Sequence, residues 1–447
     1  MTRRAGMRNK RIVFVPMRSR SLFFAVGLLS LIFCGAPSAA PIDEAPADAW
    51  PMFRGCLAST GRSAATLKLP LEERWQRRFE KRAFEATPVV ADGMIYVGDI
   101  DGTFYALTLE SGQTVWTFKT ESGFNSAAAV SSDAAVPLVV VGDGSGVVRA
   151  FDRRSGKVRW EYETDGEISG GPTILPDPTA AQVLIGSQDA SLSCLSLGEG
   201  KLLWKHSIGD QIRCSPTVAD GHVFLAGCDG KLHVLDVKTG ESKGAVPIDG
   251  PTGTTPAAVG DCVFFGTEGG SFFAIDFRKN SVSWKGQATA KGQAYRSSAA
   301  IADGVAIVGS RGKAIEAFSI PDGSPAWRTP TRGRVDASPV VVMAETPDTL
   351  GALGKQSSSK TSLIAIVGDT AGKIIALHAA DGALAWEFDA GGGFSASPAV
   401  AAGQLVMASD DGTIWCFQQP QADPKRSSRS VLPQSFPALP SDPLRQP

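Results

Sequence analysis

The sequence predicts an all-β chain folded as an eight-bladed β-propeller. Three observations carry that prediction: a strand-turn-strand pattern that returns every 40 to 44 residues, a tryptophan that closes most copies, and a lone tryptophan-bearing strand ahead of the first copy. The clearest copy runs from Thr87 to Gly98, continues through Phe104-Tyr105-Ala106-Leu107, and ends at Gly112 and Trp116.

Each element follows from local chemistry. Pro88, Ala128, Pro172, Pro216, Pro256, Ala299, Pro339 and Pro398 anchor eight first strands. Asp92-Gly93, Asp220-Gly221 and Asp303-Gly304 are two-residue turns between first and second strands, where positive φ costs little. Gly112, Gly156, Gly200, Gly240, Gly323 and Gly382 stand four residues before the tryptophan position, with Asn280 in that slot of the fifth copy. The closing tryptophans are Trp116, Trp160, Trp204, Trp284, Trp327 and Trp386, and they are expected to bury against the neighbouring blade. The fourth copy has Gly244 instead. The eighth copy stops after its third strand at Phe417, and the segment around Trp75 is expected to supply the missing fourth strand, closing the ring without an open edge. Seven blades is the alternative count.

The remaining segments set the organisation. Residues 1–39 combine seven basic residues, an apolar run from Leu22 to Cys34 and small residues up to Ala39, the layout of a secretory signal peptide. The run is too short to span a bilayer. Phe33 before Cys34 disfavours a lipid anchor there. Residues 40–71 form an extended lead-in, 72–418 the propeller, 344–362 a loop insertion within it, and 419–447 a proline-rich disordered tail.

Cleavage leaves 37 basic against 45 acidic residues, a formal charge of −8. That balance offers no electrostatic footprint for nucleic acid or an anionic membrane. An oxidising compartment permits disulfides. The turn register places Cys228 diagonal to Cys214, within possible disulfide reach, so Cys214 and Cys228 are a candidate disulfide set against two buried free thiols. Cys194 and Cys416 align with Ala106 in a small-residue slot. His206, His222, His233 and His378 fall in different blades, so no shared metal site is expected. Asp99-Ile100-Asp101-Gly102 and Gly142-Asp143-Gly144-Ser145-Gly146 are turns: the first lacks the later ligands of a calcium loop, and a hairpin follows the second rather than a helix.

From Ala106 to Trp116 and from Ala150 to Trp160, the repeat resembles the tryptophan-docking motif of pyrroloquinoline quinone (PQQ) repeats. Trp50-Pro51-Met52-Phe53-Arg54-Gly55 looks like the segment that precedes such propellers, so the resemblance spans residues 50 to 417. It implies one of two classes. Quinoprotein dehydrogenases hold PQQ and Ca²⁺ at the ring axis; non-catalytic members of the BamB type use the ring for protein contacts. Many of the enzymes stack the quinone between a tryptophan and a disulfide of adjacent cysteines, and no two cysteines are adjacent here. The leading expectation is therefore a monomeric, non-enzymatic extracytoplasmic scaffold without cofactor or metal, periplasmic or envelope-associated, with a protein partner in outer-membrane assembly. A ligand- or glycan-binding sensor and a PQQ-dependent alcohol or sugar dehydrogenase are the alternatives.

A partner face is expected where the loops enter the first strands. Three residues before each anchor stand Glu85, Asn125, Ser169, Arg213, Gly253, Arg296, Asp336 and Ser395. The copies agree elsewhere and differ here. Glu85, Arg213, Arg296 and Asp336 are expected to ring the axial opening and bind a protein segment, with Phe84, Phe124, Tyr295 and Phe394 flanking them.

Overall fold

Eight sheets, antiparallel but for one added strand, make up the fold in the computed structural model, which describes residues 42–133, 135–177, 179–287, 293–347 and 359–420. The expected signal peptide, residues 1–39, and residues 421–447 of the expected tail lie outside the described residues. Blades 1 to 6 are each four consecutive strands, beginning in blade 1 with Val89–Ala91, Met94–Gly98, Thr103–Thr108 and Thr114–Lys119. They occupy residues 89–119, 129–163, 173–207, 217–247, 257–287 and 300–330. Blade 7 (340–389) takes a fifth strand, Arg62–Lys68, which pairs in parallel with Val340–Pro347.

Blade 8 closes the ring. Its first three strands end at Thr413–Gln418, and Glu72–Arg78 pairs antiparallel with that last one, Trp75 opposite Cys416. A large apolar cluster spans the joint, packing Leu67, Leu69 and Leu71 with Val90, Ile366, Val400 and Phe417. The ring thus has no seam with an exposed sheet edge. The other clusters sit between successive blades: Phe104 of blade 1 stacks on Phe151 of blade 2 at 5.7 Å, and Phe272 of blade 5 on Phe318 of blade 6 at 4.9 Å. Burying each such ring contributes about 1.5–3 kcal/mol.

Tryptophan and glycine meet across the blade joints. Trp75 donates its indole N–H to the Leu109 carbonyl at 3.0 Å, and its ring covers Gly112, where a Cβ would stand 2.8 Å away. Trp116 and Gly156, Trp160 and Gly200, Trp204 and Gly240, Trp284 and Gly323, and Trp327 and Gly382 repeat that contact. Each of these glycines therefore meets two demands at once, a positive φ and room for a ring. Trp160 is buried and the other docking tryptophans, Trp386 included, are half-buried.

Two expectations change. The two ends of the 344–362 insertion are strand and not loop, because the first two strands of blade 7 run through Pro347 and from Ser359; residues 348–358 lie outside the described residues. The lead-in is also not simply extended. It winds around the axis, joining the inner strands in turn: Ala47 accepts from Ala402, Trp50 exchanges bonds with Val90, Pro51 accepts from Val130, Leu57 from Val218, Ala58 from Ala258, Thr60 from Ile301 and Gly61 from Val341. One or two backbone bonds to each of blades 8, 1, 2, 4, 5, 6 and 7 make it a plug across one end of the channel. Arg54 is buried in it and donates to the carbonyls of Pro339 at 2.7 Å and Ala299 at 2.8 Å. Burial without a carboxylate partner lowers its pKa to about 9.

Candidate functional site

The loops that enter the eight first strands converge on the axis. Glu85, Asn125, Ser169, Arg213, Gly253, Arg296, Asp336 and Ser395, one from each blade, line a single funnel of about 170 Å³. Two residues deeper the same walls carry Thr87, Ala127, Gly171, Ser215, Thr255, Ser298, Ser338 and Ser397. Side chains on an extended chain alternate in direction, so positions two apart face the same way. Phe53, from the plug, reaches the funnel beside Gly171.

The deeper layer stitches blades together. The amides of Ser215, Thr255, Ser298, Ser338 and Ser397 donate to the hydroxyls of Thr255, Ser298, Ser338, Ser397 and Thr87 in turn, at 2.9–3.1 Å. This hydroxyl layer was not foreseen from sequence, although a serine or threonine just before the anchor in six of eight copies is its signal. Ala127 and Gly171 break the chain at blades 2 and 3 because neither has a hydroxyl. Separately, no amide from blade 3 reaches the Ser215 hydroxyl, and Ser215 Oγ is buried with no hydrogen-bond partner among the described residues.

The same alternation corrects one expectation. Phe84, Phe124, Tyr295 and Phe394 are not on the face; each is 0–1% exposed. Their neighbours in sequence point into the funnel, so they point away from it, into the joint between blades. Phe124 packs over Gly98, Tyr295 over Gly266 and Phe394 over Gly368, each glycine ending a second strand where a Cβ would stand within 2.6 Å of the ring residue. Ile168 over Gly142 and Val335 over Gly309 fill the same slot with aliphatic side chains. The Tyr295 hydroxyl reaches Glu316 inside the joint.

The second correction concerns the cysteines. Cys214 and Cys228 are free thiols in this structure. Cys228 Sγ turns to the Thr252 carbonyl at 3.7 Å, and Cys214 is buried, its thiol pushed up to about 12 by desolvation. Sequence register places the backbones side by side but does not set the rotamers that would join the sulfurs.

Charge is unevenly spread around the rim. Arg213 and Arg296 lie on blades 4 and 6, and Glu85 and Asp336 on blades 1 and 7. Arg296 Nε is 2.9 Å from Glu268, and Arg311 Nε is 3.4 Å from Asp336 Oδ1, an ion pair whose geometry leaves that oxygen without a hydrogen bond. Asn125 donates to Glu167 at 3.0 Å, and Ser395 donates to Asp410 through its amide at 3.0 Å and its hydroxyl at 3.1 Å. Burial lifts Glu85 above the usual carboxylate range, with Asp410 and then Glu167 adding repulsion. Asp410 is lifted likewise by burial, against the Ser395 bonds that lower it. Glu85 makes no ion pair, and Arg213 bonds only the neutral Gln211 Oε1, at 2.9 and 2.6 Å, among the described residues.

The quinone and calcium implied by the repeat do not fit these walls. No two cysteines are adjacent anywhere in the chain, the funnel is lined by no tryptophan, and no group of three or more His, Cys, Asp or Glu among the described residues is placed to hold a metal. His233 bonds Asp229 at 2.9 Å and His378 bonds Ser362 at 3.1 Å, in separate blades.

The sequence profile of the family described as outer membrane protein assembly factor BamB matches residues 70–188, 147–290, 188–345 and 315–426. Among solved structures, BamB from Moraxella catarrhalis superposes with a TM-score of 0.61 at 18% identity, covering 78% of this chain and 99% of that one. The quinohemoprotein alcohol dehydrogenase of Comamonas testosteroni gives 0.64 at 14% identity, covering 84% and 82%. The computationally designed protein Ika8 gives 0.62 at 16%, covering 78% and 99%. At these identities the likeness is one of fold, shared by a BamB protein, an alcohol dehydrogenase and a design. No curated protein matches the chain.

Proposed function

The chain belongs to the family described as outer membrane protein assembly factor BamB, and from that premise we propose that it is a non-catalytic, extracytoplasmic scaffold that docks a segment of a protein partner at its axial funnel. Its place is the periplasm or cell envelope and its partner a component of outer-membrane assembly. The protein works as a monomer and without a cofactor. One observation carries the reading: eight otherwise similar repeats contribute six different residue types at one register to one polar funnel whose other end is plugged by residues of the chain itself. A plugged funnel presents a surface to one side only, which suits a docked segment better than passage through the ring. The walls lack the stacking platform and ligands of the quinone enzymes, which supports binding over redox chemistry.

Charge reversal tests it. The chain carrying Arg213→Glu, Arg296→Glu, Glu85→Lys and Asp336→Lys is expected to lose the partner that the unaltered chain captures from envelope extract. Undiminished capture contradicts the reading. Dye-linked oxidation of an alcohol or glucose after incubation with PQQ and Ca²⁺ is expected to be absent, and turnover would favour the dehydrogenase class instead.

A further inference from the structure

The funnel rim is notched between blades 4 and 6. Gly253 of blade 5 supplies no side chain, and Arg213 leans over it, with its Cβ 3.3 Å from where a Cβ on Gly253 would lie. Arg296 stands on the far side, and all three border a cavity of about 540 Å³ that opens at the mouth. Beneath Arg213, two residues along the same strand entry, Ser215 is 97% buried and lines the funnel, and its hydroxyl has no partner among the described residues, whereas the equivalent hydroxyls of five other blades each accept an amide. A buried hydroxyl left unbonded costs free energy that a ligand oxygen recovers. The Arg213 guanidinium has donors to spare, since both of its bonds go to one amide oxygen.

We propose that the foot of this notch, where Arg213, Gly253 and Arg296 continue into the funnel wall that carries Ser215, binds a carboxylate of the partner segment. The guanidinium of Arg213 and the hydroxyl of Ser215 both donate to it, and Arg296 adds positive charge across Gly253. Planar bidentate recognition suits arginine and a carboxylate better than any other pairing of side chains here. Glu85 borders the same cavity; its negative charge works against a run of acidic residues and selects a single carboxylate. The proposal rests on the scaffold reading for its partner, but not for its chemistry, so it is tested with defined probes.

Three pentapeptides with blocked N-termini are titrated into the mature chain at millimolar concentration by calorimetry or NMR. One carries a glutamate with both ends blocked, one is all glycine with a free C-terminal carboxylate, and one is neutral throughout. At least one acidic probe is expected to bind and the neutral one not; which of the two binds assigns the carboxylate to a side chain or to a chain end. Arg213→Gln is expected to weaken that probe by about tenfold or more, and Ser215→Ala by severalfold. Ser215→Ala leaves no protein partner unsatisfied, so an unchanged melting temperature accompanies its loss of binding. Absence of binding by both acidic probes, equal binding of the neutral peptide, or binding indifferent to Arg213→Gln each overturns the notch. If partner capture is still lost on charge reversal while no acidic probe binds, the scaffold reading stands and the notch alone falls.

Discussion

Asn280 fills the space that Gly244 leaves. A Cβ on Gly244 would stand 2.0 Å from the Asn280 Oδ1, and Asn280 Nδ2 lies 3.4 Å from the Lys243 carbonyl. At six other joints a tryptophan sits over a glycine; at this one both members have changed together, small residue for large on blade 4 and large for small on blade 5. The fourth copy is therefore an inverted form of the joint and not a degenerate one.

A double-mutant cycle checks this. Gly244→Trp alone is expected to destabilise by about 1–3 kcal/mol, because the indole meets the amide of Asn280. Adding Asn280→Gly restores the tryptophan–glycine pair and recovers most of that loss. Urea denaturation should give a coupling of about 1 kcal/mol or more. Additive effects would show that the two positions are independent.

Much of this architecture was legible in the chain because it repeats. The eight anchors, the docking tryptophans and the strand around Trp75 are local patterns copied along the sequence, and alignment alone brings Glu85 and Asp336 into one register. Direction was harder to read. Phe84 and Glu85 are neighbours, and only strict alternation of side chains tells that one faces the axis and the other the joint. The path of the lead-in was not legible at all. It is held by one or two backbone bonds to each of several blades, from Ala47 to Gly61, and such bonds leave no trace in side-chain pattern.

The plug can be tested through a matched pair of glycines. Gly61 and Gly93 have similar positive φ, +66° and +70°, so alanine strains the backbone alike at both. At Gly93 a Cβ meets nothing within 4 Å, while at Gly61 it would stand 1.7 Å from the Arg54 guanidinium. Gly93→Ala is expected to cost about 1 kcal/mol, and Gly61→Ala at least about 2 kcal/mol more through displacement of buried Arg54. Equal losses in urea midpoints would show that Arg54 is not fixed by this contact.

The crowded carboxylates give stability a pH dependence. Glu85 has its folded pKa raised by burial first and by Asp410 and Glu167 next. The folded chain therefore holds that proton more tightly than the unfolded chain, and stability falls as pH rises from the unfolded value through the raised folded one. Glu85→Gln removes the effect. Its melting temperature should exceed that of the unaltered chain near about pH 7 and match it near about pH 3. A gain of equal size at both values would assign the effect to packing instead of charge.

The claim on which the account turns is that the funnel mouth, and not the outer rim of the ring, meets a protein. Photo-crosslinking from single positions reports this directly, with a benzophenone side chain placed at Asn125 or Ser395 in the funnel and at exposed Leu203 on the outermost strand of blade 3. In intact envelopes the two funnel positions are expected to give the same discrete protein adduct and Leu203 none. An adduct from Leu203 with none from either funnel position would contradict the account.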